Sequence, residues 1–112
     1  MIKQEYQEFS ANRCGGTGTI AVSRFLDSED MHGKGRGATK LVLPAGASIG
    51  IHQHSDSVEQ YYVLSGSGIF HDNGIDKPIS AGQTGVMEPG GYHGMANTGT
   101  EDLVVIAVHL FV

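Results

Sequence analysis

His52 and His54 stand two residues apart, Glu59 follows five residues later, and His93 completes the set from far along the chain. Imidazole nitrogens and carboxylate oxygens are the common ligands of divalent transition metals. In an extended strand, residues two apart point to one face about 6.6 Å from each other, so two imidazoles can tilt toward a shared ion. Glu59 follows the polar turn Ser55-Asp56-Ser57 and opens the next strand, where an antiparallel hairpin would return it beside His54. His93 begins another strand, and closure of the sheet would bring it across. Three nitrogens and one oxygen suit Mn, Fe, Co, Ni or Zn, with open positions left for water or a substrate. A His-x-His pair alone leaves a second reading open, because buried histidines also serve as neutral, hydrogen-bonded core residues.

Strand parity names the neighbours of this set. Tyr61 and Val63 share a face with Glu59, and Met95 and Asn97 share one with His93. Val63 and Met95 are therefore expected to line the pocket. In the last strand Val105, Ala107, His109 and Phe111 alternate with Val104, Ile106, Val108 and Leu110, and His109 reaches the pocket if its face turns inward. A phenol beside a divalent cation can titrate early and act as acid or base, which makes Tyr61 the candidate catalytic residue. Its other reading is a ring that fills the interior and hydrogen-bonds once. His71 and His32 are read as solvated.

The elements that must position these groups are strands. Helical periodicity is nearly absent, while alternation and β-branched runs recur over Thr17–Leu26, Ala38–Leu43, Ser48–His54, Val58–Leu64, Gly68–His71, Thr84–Glu88, Tyr92–Asn97 and Leu103–Val112. Asp72-Asn73-Gly74 is a hairpin signal, since Asn and Gly both tolerate positive φ. Asp27 to Gly37 is the one long polar stretch, with a single helical turn expected around Ser28–Met31. The glycine-rich run from Gly33 to Gly37 reads as a flexible loop. Many short strands between turn signals specify a sandwich or a closed barrel, without choosing between them.

With 112 residues the chain is expected to form one domain, an amino-terminal arm over about 1–37 and a core over about 38–112. Twelve carboxylates against seven Lys plus Arg give a formal charge of -5. No concentrated basic face is visible, so no nucleic-acid partner is expected. Lys34, Arg36 and Lys40 form the nearest approach to one and read as a solvated loop, able at most to steer a small anion. The longest apolar run, Leu103 to Val108, is too short to span a bilayer. The lone Cys14 and a polar amino terminus fit a cytoplasmic protein.

Two spaced motifs in this sequence resemble those of the cupin superfamily. The first runs Gly46, His52, His54, Glu59, Gly66, with every spacing met. The second runs Gly82, Gly90, His93, Asn97, with Glu88 where a proline is usual and Pro89 one position late. That departure alters a turn and leaves the register of His93 intact. The resemblance implies an all-β, jelly-roll (double-stranded β-helix) barrel. It implies one divalent metal ion inside, held by His52, His54, Glu59 and His93. It also implies a homodimer, with Thr17–Leu26 expected at the interface for want of an obvious partner strand. Within the family the chain is similar to small single-domain bacterial cupins. The leading expectation is a metal-dependent enzyme acting on a small polar molecule, such as a carboxylate, keto acid or sugar derivative. Isomerase, lyase, decarboxylase and dioxygenase chemistry all occur on this fold. The alternative is a non-catalytic small-ligand binding or sensor module. Cupins resembling oxalate decarboxylase carry an arginine three residues before the first histidine of the pair; Ile49 stands there, which marks that subclass down.

Overall fold

The computed structural model describes residues 1–112, and almost every regular element in it is a strand. In chain order these are β1 (Tyr6–Ala11), β2 (Thr19–Asp27), β3 (Gly35–Leu43), β4 (Ser48–Gln53), β5 (Ser57–Ser65), β6 (Ser67–Asp72), β7 (Ile75–Ser80), β8 (Thr84–Gly85), β9 (Tyr92–Ala96) and β10 (Leu103–Phe111). A 3-10 turn at Arg13–Gly15 separates β1 from β2. One sheet has the order β1-β2-β3-β10-β5-β8 and the other β4-β9-β6-β7. The two sheets enclose the core as the expected all-β jelly-roll barrel. No helix is long and apolar enough to cross a membrane.

The interior follows from alternation. Ile20 and Val22 of β2, Leu41 and Leu43 of β3, Tyr61 and Val63 of β5, and Leu103, Val105 and Ala107 of β10 all bury one face in a single cluster. From the smaller sheet, Ile49, Phe70, Ile79 and Met95 close against them. Asn97 is buried at the end of this core, where its amide donates to the carbonyls of Leu43 at 2.8 Å and Glu101 at 2.7 Å. A side chain in that position ties the end of β3 and the loop before β10 to the strand carrying His93.

Several expectations need correction. Thr17–Leu26 does have partners: as β2 it pairs with β1 on one side and β3 on the other. The open edge belongs to β1, whose six residues are too polar and too exposed to announce a strand. The Asn73-Gly74 turn, with φ of 50° and 83°, joins β6 to β7 rather than to residues 84–88. β7 escapes a pattern reading because Asp76, Lys77 and Pro78 interrupt it on an exposed face. Ser28–Met31 forms turns and no helix.

The connection between His54 and Glu59 is also different. It is not a hairpin. β4 lies beside β9 in the smaller sheet, and β5 lies beside β10 and β8 in the larger one. Residues 54–56 therefore carry the chain across the barrel, and the glutamate arrives from the opposite wall.

Candidate metal centre

β4 would not aim its histidines inward by strict alternation from Ile49, because residues 49, 51 and 53 would share a face. Its register against β9 shifts by one residue between the Ile49–Met95 and His52–His93 pairs. That bulge re-aims the strand. Ile49 stays buried, Ile51 turns to solvent at 58 % exposure, and His52 and His54 both face the interior. The close approach of Gly94 to the carbonyls of Ile49 and Gly50 shows how tightly the bulge is packed.

Glu59 Oε1 lies 3.7 Å from His52 Nε2, 3.8 Å from His54 Nε2 and 3.8 Å from His93 Nε2. These separations are too long for hydrogen bonds and match ligand atoms spaced around an ion held at about 2.0–2.2 Å from each. His52, Glu59 and His93 are the tightest three, with ligand atoms all within 4.8 Å of one another. His52 Nδ1 lies 2.8 Å from the Gly50 carbonyl and, as donor to it, leaves the Nε2 lone pair turned toward the glutamate. His93 is 1 % exposed, and neither of its ring nitrogens has a hydrogen-bond partner. A buried, unsatisfied imidazole is costly unless something coordinates it, so the donor set fits a divalent transition metal.

Electrostatics agree with that geometry. Burial works to raise the Glu59 carboxyl, but His52, His93 and the Tyr61 hydroxyl outweigh it and hold the group far below the usual range. Burial works to lower His52, and its contacts with Glu59 and Gly50 reverse the direction and raise it. Burial lowers His54 and His109.

The remaining expected residues divide. Tyr61 faces the cavity with its ring buried, and its hydroxyl donates to Glu59 Oε1 at 2.9 Å. In the metal-free site, burial and the adjacent carboxylate push this phenol well above 10.0; early titration is expected only beside a bound divalent cation. His109 does face inward, lines the cavity, and packs edge-on against His54 with ring centroids 5.1 Å apart. Val63 and Met95 do not line it; both are fully buried in the apolar core behind the site. His71 is only partly exposed and pairs with Asp76, whereas His32 is exposed. The shifted proline is harmless to the site: Gly90 N–H donates to the His54 carbonyl at 2.8 Å, and His93 keeps its place opposite His52.

Arg13 and Arg24 carry no signal in the sequence, and Arg36 reads there only as part of a solvated basic loop. All three line the same cavity of about 260 Å³ that His52, His54, His109 and Glu59 open into. A weak signal existed in Arg36, within the basic loop, but Lys34 and Lys40 do not reach the cavity.

The family described as Cupin domain matches residues 39–109, well over half the chain and the whole of the donor set. The chain belongs to the cupin family. This cupin is 43% identical over 98 residues to an oxalate-binding protein from Thermotoga maritima, across 88% of this chain and 81% of that protein. A crystal structure of a predicted oxalate decarboxylase from Thermotoga maritima superposes with a TM-score of 0.95 at 38% identity, covering 100% of this chain and 99% of the other. A conserved protein with a double-stranded β-helix domain from Klebsiella pneumoniae gives 0.70 at 26% identity, over 80% and 74% of the two chains.

Proposed function

We propose that this cupin holds one divalent transition metal on His52, His54, Glu59 and His93 and uses it to bind a small carboxylate of the oxalate class. The observation that carries the reading is the convergence of three Nε2 atoms on Glu59 Oε1 at the foot of a small cavity. A bound divalent ion supplies Lewis-acid coordination to carboxylate oxygens at its open positions. The chain's own groups do the rest. The Gly50 carbonyl orients His52, and the Tyr61 hydroxyl fixes the rotamer of Glu59 from behind. At about 260 Å³ the cavity is below the usual range of about 300–1,000 Å³ for ligand sites, which favours a molecule of few atoms. The identity to an oxalate-binding protein supports the ligand class.

A second reading, turnover of that carboxylate, is favoured by His109. Its two ring nitrogens are buried without partners at the cavity wall, directly across from Glu59 in the strand register. Such a ring can hold or pass a proton to a bound ligand. Calorimetry with oxalate on protein loaded with Mn, Co, Ni or Zn tests the binding reading, and metal-dependent saturable binding is expected. Binding that is equal with and without metal would refute it. Release of carbon dioxide or formate in the same samples decides between binding and turnover.

A further inference from the structure

All the arginines of this chain line one cavity. There are three, Arg13, Arg24 and Arg36, and none is paired with a carboxylate. Of the twelve acidic residues three pair with lysines, Asp27 and Asp30 with Lys3 and Asp72 with Lys77, and none pairs with an arginine. The only acid lining the cavity is Glu59, already surrounded by imidazoles. Like charges on three arginines that line one small cavity repel one another, and a bound divalent ion adds to the excess. A fixed arrangement of this kind is at ease only with an anion inside.

Each arginine is brought there by a different element, and each placement depends on a local constraint. Arg13 belongs to the 3-10 turn, which lies directly on β4. A Cβ added at Gly50 would meet the Cys14 carbonyl oxygen at 2.1 Å, and one at Gly16 would meet the Ser48 oxygen at 2.2 Å. Arg24 reaches across the backbone of β3 and donates from Nη1 to the Arg36 carbonyl at 3.1 Å. Gly37 makes that crossing feasible, since a Cβ there would stand 3.0 Å from the same Nη1 and 2.1 Å from the Leu26 oxygen. The Arg36 guanidinium lies 5.9 Å from the centroid of the Phe111 ring, a cation–π contact that restrains it. All three precede residue 39, outside the segment that matches the family, while every metal donor lies within it. The first 36 residues thus furnish a recognition wall that the barrel motifs do not encode.

We infer that Arg13, Arg24 and Arg36 form an anion-recognising subsite opposite the metal donors, and that the ligand is a small dianion. One carboxylate faces His52, His54, Glu59 and His93, and the second is held by the guanidinium forks. Arginine presents paired N–H groups in the spacing of a carboxylate's two oxygens, and hydrogen bonds between charged groups are the strong kind. Ile49, at the position where cupins resembling oxalate decarboxylase carry an arginine, lines the cavity without charge, and the cations lining it come from the 3-10 turn, β2 and β3. The inference rests on the proposed reading of the site as one that takes a carboxylate.

The test is calorimetry on the metal-loaded protein with oxalate and with glyoxylate, a monoanion of similar size, in the parent and in Arg13→Gln, Arg24→Gln and Arg36→Gln. Oxalate is expected to bind at least about tenfold more tightly than glyoxylate in the parent. Each substitution is expected to weaken oxalate about tenfold, to leave glyoxylate and metal content nearly unchanged, and so to close the gap. If Arg24→Gln fails to fold after losing its bond to Arg36, the Arg13 variant decides, because its side chain makes no hydrogen bond in the fold. Metal-dependent binding in which glyoxylate equals oxalate, or in which the variants match the parent, overturns the dianion subsite and spares the carboxylate reading. Binding of neither ligand overturns both.

Discussion

His52 and His93 are register partners on adjacent antiparallel strands, and their ring centroids lie 4.3 Å apart. The two residues that the sequence separates most widely within the donor set are thus the most directly joined by backbone pairing. Glu59 reaches them from the other sheet, where it pairs in turn with His109. Two cross-strand pairs, one from each wall, face each other across the cavity.

From that arrangement, His52→Ala or His54→Ala should abolish stoichiometric metal and leave a folded barrel, since both side chains are only partly buried. Elemental analysis with circular dichroism checks this, and unchanged metal in both variants would remove the assignment. Metal supplied at about 100 times its dissociation constant should stabilise the parent by about 2.7 kcal/mol and neither variant. Thermal melts with and without chelator give that comparison.

Tyr61→Phe keeps the ring and removes the bond to Glu59 Oε1. Losing a partner that orients a metal ligand typically costs about 10–100-fold in metal affinity, so competition with a chromophoric chelator should show a weaker but intact site. In the metal-free parent, no phenolate absorbance from this residue should appear below pH 10.0, because burial raises it. In the metal-loaded parent, an early phenolate that is missing in the Phe variant would support Tyr61 as an acid–base group.

Lys3 tethers the amino terminus by donating to Asp27 and Asp30, each at 2.8 Å. Its bond, with help from the Asp30 backbone N–H, lowers the Asp27 carboxyl from 3.8 to about 2. A depressed carboxyl favours the folded state above its ordinary value, and that contribution disappears as pH falls through about 2. Carbon-detected titration should therefore find Asp27 near 2 in the parent and moved back toward 3.8 in Lys3→Ala. An unmoved midpoint would show that Lys3 does not hold the turn in solution.

The open edge of β1 makes a second copy of the chain the expected partner. Tyr6 and Phe9 are 69 % and 73 % exposed on this strand, and an uncovered edge presents unpaired backbone groups. Light scattering at micromolar concentration should return a dimer mass, and the Tyr6→Glu, Phe9→Glu double variant should return a monomer. A monomeric parent would refute it.

The candidate donor set and the all-β class were legible in the sequence because strand alternation and motif spacing are local, whereas the choice of a barrel came from the cupin resemblance. Alternation within Val58–Leu64 and Tyr92–Asn97 places Glu59 with Tyr61 and His93 with Met95 whatever the strands pair with, and motif spacing limits where the turns fall. Pairing is not local. Nothing near Tyr6 or Ile75 reveals that β2 and β6 will offer them an edge, so β1 and β7 stayed hidden. A one-residue bulge in β4 leaves no mark in composition, yet it decides that Ile49 and His52 share the interior. Shared parity also fails to separate core from cavity, as Val63 and Met95 show, because depth along the barrel axis depends on where the opposite sheet sits. Arg13, Arg24 and Arg36 carry no common spacing at all. Only the crossing of a 3-10 turn over β4, and of a long side chain over Gly37, brings three scattered charges to one wall.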